Sequence, residues 1–416
     1  MSKAKTLVTN FRRMSTPMIS RRASKASPAG QPKGGDGLND TTAKTGTSIF
    51  FLPTELLVQI LLPVSCEDLC AVRRTCRAAS HLLSTGDIVG QWLGHNLSEQ
   101  QLTLYPPPSP PNFVYAVEQQ RRFNRAGTAA AAYTNYIEKE IVRYTLKRRP
   151  SISAQEHNDA MDALWELIQA KLIPLLLTLQ HHLERCAGIL LELCDNETTY
   201  TSSTLRREFA ARERAHIDSY EPLHLRQLYK FWLFFTWLSN QVLGLPSYAS
   251  TFERAMRGWG VEIRPYERNL IMVFGSLAAL AEVMVGSKLR DRRRAIAVWL
   301  GLMDPARTSS WQMQWRRFGL RYDVCPTEKQ AGAASNVKLQ VGEVFANSAK
   351  AVLLDKGLLD TEEREIGSSI GSSIDSSIGT SHHCTDFLYE LVGYDILHVP
   401  PSIGLQQLEL LGDNAH

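Results

Sequence analysis

Between residues 52 and 64 apolar side chains recur on two sides of what should be one helix. Leu56, Ile60 and Val64 fall every four residues with Leu57 and Leu61 beside them, while Val58 and Leu62 take much of the opposite side and Gln59 is the main polar interruption. Pro53 suits the first helical position, where its missing N–H costs nothing, and Glu55 puts a carboxylate in the first turn, where the helix dipole favours it. A second stripe follows at spacings of three and four: Leu69, Val72, Cys76, Ala79 and Leu83. Ser65 opens it with Asp68 three residues on, the spacing of a capping box, and Arg73, Arg74 and Arg77 keep its other face in water. Gly86 permits an exit, and Ile88, Trp92 and Leu93 supply a third short apolar element. Three short helices in about 45 residues bury too little surface to be comfortable alone. One side of the first helix can meet the second helix. The other needs a cover, either the downstream domain or another protein.

Beyond this unit, assigned to residues 48–97, the run YPPPSPPN (residues 105–112) removes backbone donors and favours extended chain. Residues 98–112 therefore read as a stiff Pro-rich linker between two folded units, with docking on an SH3- or WW-type domain the less favoured use. From residue 113 to about 360 helix-forming windows dominate, at 113–123, 128–147, 155–170, 172–195, 204–216, 222–243, 249–257, 267–287, 289–303 and 342–355. Pro174 is placed in the first turn of its helix, where it is tolerated. No period of 20–50 residues recurs, which leaves solenoid and propeller architectures without support. Ile366, Ile370, Ile374 and Ile378 repeat every four residues within Gly and Ser, and residues 361–383 read as a low-complexity linker. Residues 384–416 are apolar enough at their start to pack back on the helical domain. The fold class expected is mainly α: a three-helix N-terminal module, then a larger non-repeat helical domain.

Charge changes this picture only at the start. Of 46 Lys/Arg and 42 Asp/Glu, residues 1–47 hold nine basic against two acidic groups, so the remainder is close to neutral. That argues against a dedicated nucleic-acid binder and makes residues 1–47 a disordered basic tail. The tail is Arg- and Ser-rich like a mitochondrial presequence, but Pro17 interrupts any helix there. Ser15 and Ser24 stand two residues after Arg-Arg, as does Ser151; the two in the tail are the stronger candidate phosphosites. Seven cysteines without a C-x-x-C pair suit a reducing compartment, cytoplasm or nucleus, and not a disulfide framework. FWLFFTWLSNQVLGL (residues 231–245) is short for a membrane span and residues 269–287 contain Glu282, so both read as buried core helices and no membrane is expected.

The order and spacing of LPTELLVQILLPVSCEDLCAVRRTCRAASHLL resemble an F-box. Leu52, Pro53, Glu55, Leu56, Ile60, Leu61, Asp68, Leu69, Cys76 and Arg77 match the family pattern. Val64 replaces a Leu, Ala79 stands where a Trp is common, and Thr75 where a Val is usual. The match spans about one tenth of the chain. The resemblance implies a non-catalytic adaptor that binds a Skp-type adaptor and, through it, a cullin-RING ubiquitin ligase, while the rest of the chain recruits a protein substrate. It implies that Leu52, Pro53, Leu56, Ile60, Leu61 and Leu69 face the Skp-type adaptor. Glu55, Val64, Asp68, Val72, Cys76, Leu83 and Trp92 are the expected motif and core residues. The alternative is a helical scaffold whose F-box-like hairpin only packs against its own chain.

Other chemistry is sparse. Cys66, Cys70, Cys76 and His81 read as small buried thiols and a neighbouring His within the F-box helices, not a metal set. QHHLERC (His181, His182, Glu184, Cys186) and SHHC (His382, His383, Cys384) lack companion ligands in the sequence, so no metal and no cofactor is expected. No Gly-rich phosphate loop or nucleophile elbow occurs. SKLRDRRRA (residues 287–295) reads as a solvated helix face.

Overall fold

The computed structural model describes residues 52–84, 86–137, 153–195, 202–243, 289–302 and 345–359, with isolated positions between 250 and 283 and Phe387. The expectations for residues 1–47, 361–383 and most of 384–416 lie outside the described residues. Those described are overwhelmingly helical, and no strand occurs among them, so the mainly-α class holds. The chain divides into two compact units, with the boundary between Gln120 and Arg121.

The first unit contains α1 (Thr54–Leu61), α2 (Cys66–Thr75), α3 (Arg77–Leu82), α4 (Gly86–Asn96), α5 (Glu99–Leu104) and the start of α6 (Phe113–Ile137). Pro53 caps α1 from outside and is not its first residue; its carbonyl accepts from Leu56 N–H at 3.0 Å and Leu57 N–H at 3.1 Å. Ser65 Oγ accepts from Asp68 N–H at 3.1 Å and donates to the Asp68 carboxylate at 2.8 Å. The second expected helix is broken in two. Cys76 is extended (φ −159°, ψ 166°), and its Sγ accepts from Ala79 N–H at 3.4 Å to start α3. Thr75 Oγ1 donates to Val72 C=O at 2.7 Å, consuming a carbonyl in the last turn of α2.

The core of this unit gathers Val58, Leu61, Cys66, Leu69, Leu83, Ile88, Val89, Trp92, Leu93, Leu97, Phe113 and Ala116. Two polar contacts fix how α1 enters it. Trp92 Nε1–H donates to Val64 C=O at 3.0 Å, and Asn96 Nδ2–H donates to Leu62 C=O at 2.9 Å. The carbonyl at the C-cap of α1 and one just beyond it are thereby paired from α4. The segment expected to be a spacer belongs to this unit. Ser98 and Gln101 form the capping box of α5. Pro110 and Pro111 lie against α4, so close that a Cβ on Gly86 would come within 3.1 Å of Pro110 Cβ. Arg73, expected in water, is half-buried with its guanidinium 5.2 Å from the Phe113 ring centre.

The second unit is built on α7 (Ala154–Asp195), α8 (Ser202–Ile217), α9 (Pro222–Leu243), α10 (Leu289–Leu302) and α11 (Ala346–Asp355), with the rest of α6. Helices α8 and α9 each pack on both α7 and α11, and α10 packs on α9. Ser153 and Glu156 cap α7 reciprocally, at 3.2 and 3.0 Å. Where two helices were expected, α7 is a single 42-residue helix with Pro174 inside it. Leu172, Leu175, Leu176, Leu177 and Leu179 around that proline are all buried, and their burial outweighs the missing hydrogen bond. Two windows of α6, 113–123 and 128–147, are likewise joined. Pro222 is the first residue of α9, and the Glu221 carboxylate accepts from the N–H groups of Leu223 and His224 at 3.0 and 2.7 Å.

Helix α9 carries Phe231, Trp232, Phe234, Phe235 and Leu238, all buried, as a core helix should. Among the described residues no helix is long and apolar enough to cross a membrane. Tyr133 of α6 meets Phe235 at 5.7 Å between ring centres. Arg122, also on α6, is buried against Glu184 of α7 at 3.1 Å. In α10 the expected solvated basic face is only partly so, because Arg293 is buried while Arg290 and Arg294 are exposed.

Leu69→Ala should remove about 2–5 kcal/mol from the first unit. Native-state hydrogen exchange would show it as lost protection throughout α1 to α4. Pro174→Ala should stabilise the second unit by about 1–3 kcal/mol, since an N–H is gained and a ring clash removed. A thermal midpoint that fails to rise would show that the helix has adapted fully to the proline.

Candidate functional site

Two places in the molecule carry more than packing. The first is the outer side of α1. Leu57, Val58 and Leu61 face inward and are buried, whereas Leu52, Leu56 and Ile60 are 39%, 46% and 43% exposed. Leu56 and Ile60 are one turn apart and share a face of α1, while Leu52 and Pro53 are exposed just before its first residue. Of the six residues expected to face an adaptor, four are thus exposed on α1 or just ahead of it, Leu56 and Ile60 forming a short apolar row. The other two differ: Leu61 and Leu69 lie in the core, where the helix period turns them away from that row. Among the expected motif residues, Leu83 and Trp92 are core, and Val64 and Val72 are half-buried against it. Glu55 and Asp68 are exposed, Asp68 as partner of the Ser65 cap. Cys76 is exposed rather than buried because it caps α3, and Cys70 is half-buried; only Cys66 has the burial expected of all three. Ala79, where a Trp is common, is fully enclosed. Ser15, Ser24 and Ser151 lie outside the described residues, as do His382, His383 and Cys384.

The second place is inside the helical unit. His182 and Cys186 sit one turn apart on α7, so their side chains share a face. Glu213 of α8 meets them. His182 Nε2 lies 3.2 Å from Cys186 Sγ and 3.2 Å from Glu213 Oε1, and Cys186 Sγ is 3.5 Å from Glu213 Oε1. All three residues are fully buried. Glu213 also accepts from Phe345 N–H at 2.8 Å and from Ser348 O–H at 2.6 Å, which ties in α11. Phe345 adopts φ 68° and ψ −60°, a tight-turn geometry that non-glycine residues rarely enter and that costs about 1–3 kcal/mol. Its ring is buried edge-on to His182 at 4.9 Å and packs on Trp232 at 5.3 Å.

A shell of titratable groups adjoins this cluster. His216 stacks on His182 at 5.9 Å, and both His181 Nδ1 and His216 Nε2 lie within 3.0 Å of the Tyr220 hydroxyl. Burial pushes His181 down to about 4 and His216 down to about 3, so both rings are neutral near pH 7. Burial likewise pushes the Tyr220 phenol up, and burial together with the Glu213 carboxylate pushes the Cys186 thiol up.

Of the QHHLERC residues, only His182 and Cys186 converge; His181 turns to Tyr220, and Glu184 is taken by Arg122. The companion that the sequence motif lacked is Glu213. Its signal was present as position rather than spacing: Leu205, Phe209, Glu213 and Ile217 form the buried stripe of α8, with a carboxylate where a core residue belongs.

His224 offers a check on the electrostatics of this unit. It lies 2.8 Å from Thr178 Oγ1, and burial lowers its pKa below 6.5. The unfolded chain therefore binds a proton that the folded one refuses. Its share of stability is present above about pH 6.5 and is lost as pH falls below it. Urea midpoints should drop more between about pH 7 and about pH 5 in the wild type than in His224→Gln; equal slopes would refute this. Comparison with protein-family models, with curated proteins and with solved structures finds no match.

Proposed function

We propose that this chain is a non-catalytic substrate adaptor of a cullin-RING ubiquitin ligase. In this reading the first unit docks a Skp-type adaptor through Leu52, Pro53, Leu56 and Ile60, and the helical unit recruits a protein substrate. The observation that carries it is the exposed apolar row on α1. A two-turn helix that spends one side on its own core and leaves Leu56 and Ile60 on the other, with Leu52 exposed just before it, offers an apolar surface to a partner. The resemblance to the F-box pattern supplies the identity of the cover. The inward turn of Leu61 and Leu69 narrows the docking surface to the N-terminal half of the motif, with those two acting by holding α1 in place.

Leu56 and Ile60 are already more than half covered, so enclosing what remains of each is worth roughly 0.7–1.5 kcal/mol. Leu56→Asp with Ile60→Asp should therefore weaken capture of a Skp-type adaptor by at least about tenfold without unfolding the chain, since neither side chain is part of the core. Co-precipitation with purified adaptor, beside a circular dichroism melt, reads both. A wild-type chain that binds no adaptor favours the helical scaffold instead, and a folded double variant that binds fully removes the assigned surface.

A further inference from the structure

The cluster at His182, Cys186 and Glu213 turns three metal-binding atoms toward a common centre. We propose that these three residues bind a single zinc ion that clamps α7 to α8.

Three donor atoms of different elements, Nε2, Sγ and Oε1, converge from two helices with mutual distances of 3.2, 3.2 and 3.5 Å. Zinc bonds of about 2.3 Å to sulfur and about 2.0–2.1 Å to nitrogen or oxygen, at tetrahedral angles, put such donors about 3.3–3.6 Å apart. The observed triangle needs to open by at most about 0.4 Å. Among the described residues no other His, Cys, Asp and Glu side chains converge in this way.

Charge favours the same occupant. On binding, the Cys186 thiol would release its proton, and the thiolate and the Glu213 carboxylate would balance the divalent cation, with one water completing the tetrahedron. Without a cation, either tautomer of His182 is poorly served. Nδ1 is buried without a hydrogen-bond partner in both; a proton on Nδ1 also leaves the Nε2 lone pair facing the carboxylate oxygen at 3.2 Å, whereas a proton on Nε2 can be donated to it. A cation at Nε2 fixes the first tautomer and turns the opposed lone pairs into ligands.

The surroundings orient the Glu213 donor as a metal site requires, while His182 Nδ1 has no such partner. Phe345 N–H and Ser348 O–H hold the Glu213 carboxylate by both oxygens, and the one-turn spacing of His182 and Cys186 presets the other two. The backbone of Phe345 is held in its unfavourable turn at the position where its N–H reaches that carboxylate. Zinc suits this donor set better than magnesium or calcium, which take oxygen ligands, and the mixed N, S and O donors match its borderline softness.

The test uses the full chain purified without chelator. Elemental analysis should find about one zinc per chain, and prolonged chelation should lower the thermal midpoint, with added Zn²⁺ restoring it. X-ray absorption at the zinc edge should show one sulfur among nitrogen and oxygen neighbours. Cys186→Ser should lose the sulfur neighbour and bind Zn²⁺ at least about tenfold more weakly. A chain that stays metal-free when dialysed against Zn²⁺ would overturn the proposal, as would zinc surrounded by no sulfur or by several. The absorption spectrum is read on the wild type, so it decides the matter even where Cys186→Ser fails to fold.

Discussion

A carboxylate sealed from water has to find its hydrogen-bond donors within the protein, and in the helical unit that requirement falls on Glu213. Its two oxygens gather a thiol, an imidazole, a backbone N–H and a hydroxyl from α7 and from the segment that begins α11. Losing either set leaves a buried carboxylate short of partners, a costly defect for a core. The apolar packing of Phe209, Trp232 and Phe345 around it is less particular, since hydrophobic contact tolerates many arrangements and a satisfied carboxylate tolerates few. The strained turn at Phe345 fits this ordering: the donor to Glu213 is kept in place although the backbone would relax elsewhere.

Much of the architecture was legible in the hydrophobic pattern. The stripes at 52–64 and 69–83 located the first module, and the aromatic run of α9 was identifiable as core because its length and its Asn and Gln did not suit a membrane. Punctuation misled. Pro174 and the gap between the 113–123 and 128–147 windows suggested helix ends, but both helices run through. The reverse happened at Cys76, where a regular three-and-four spacing promised one helix and a thiol cap made two. The prolines at 106–111 looked like a spacer because their packing against Gly86 and Gly90 depends on contacts roughly 20 residues away in sequence, which composition does not record.

The candidate sites show the same division. The exposed row on α1 was implied by local periodicity, and the structure corrected only which residues face out. The buried cluster was half visible: two of its donors are one helical turn apart, while the third is 27 residues on in another helix. Sequence spacing finds ligands that share an element, and it misses those that meet only after folding. An acidic residue inside an otherwise apolar stripe is the trace such sites leave, and Glu213 left it.

Because α1 has one side enclosed and the other in water, its two faces answer to different demands. Changes at Leu57, Val58 or Leu61 are felt by every molecule that folds, whatever it meets. Changes at Leu52, Leu56 or Ile60 are felt only when something lies against them. Two descendants of this chain under different selection would therefore diverge first along one side of a helix barely two turns long. The pattern of that divergence would record whether the outer face had kept its company or lost it.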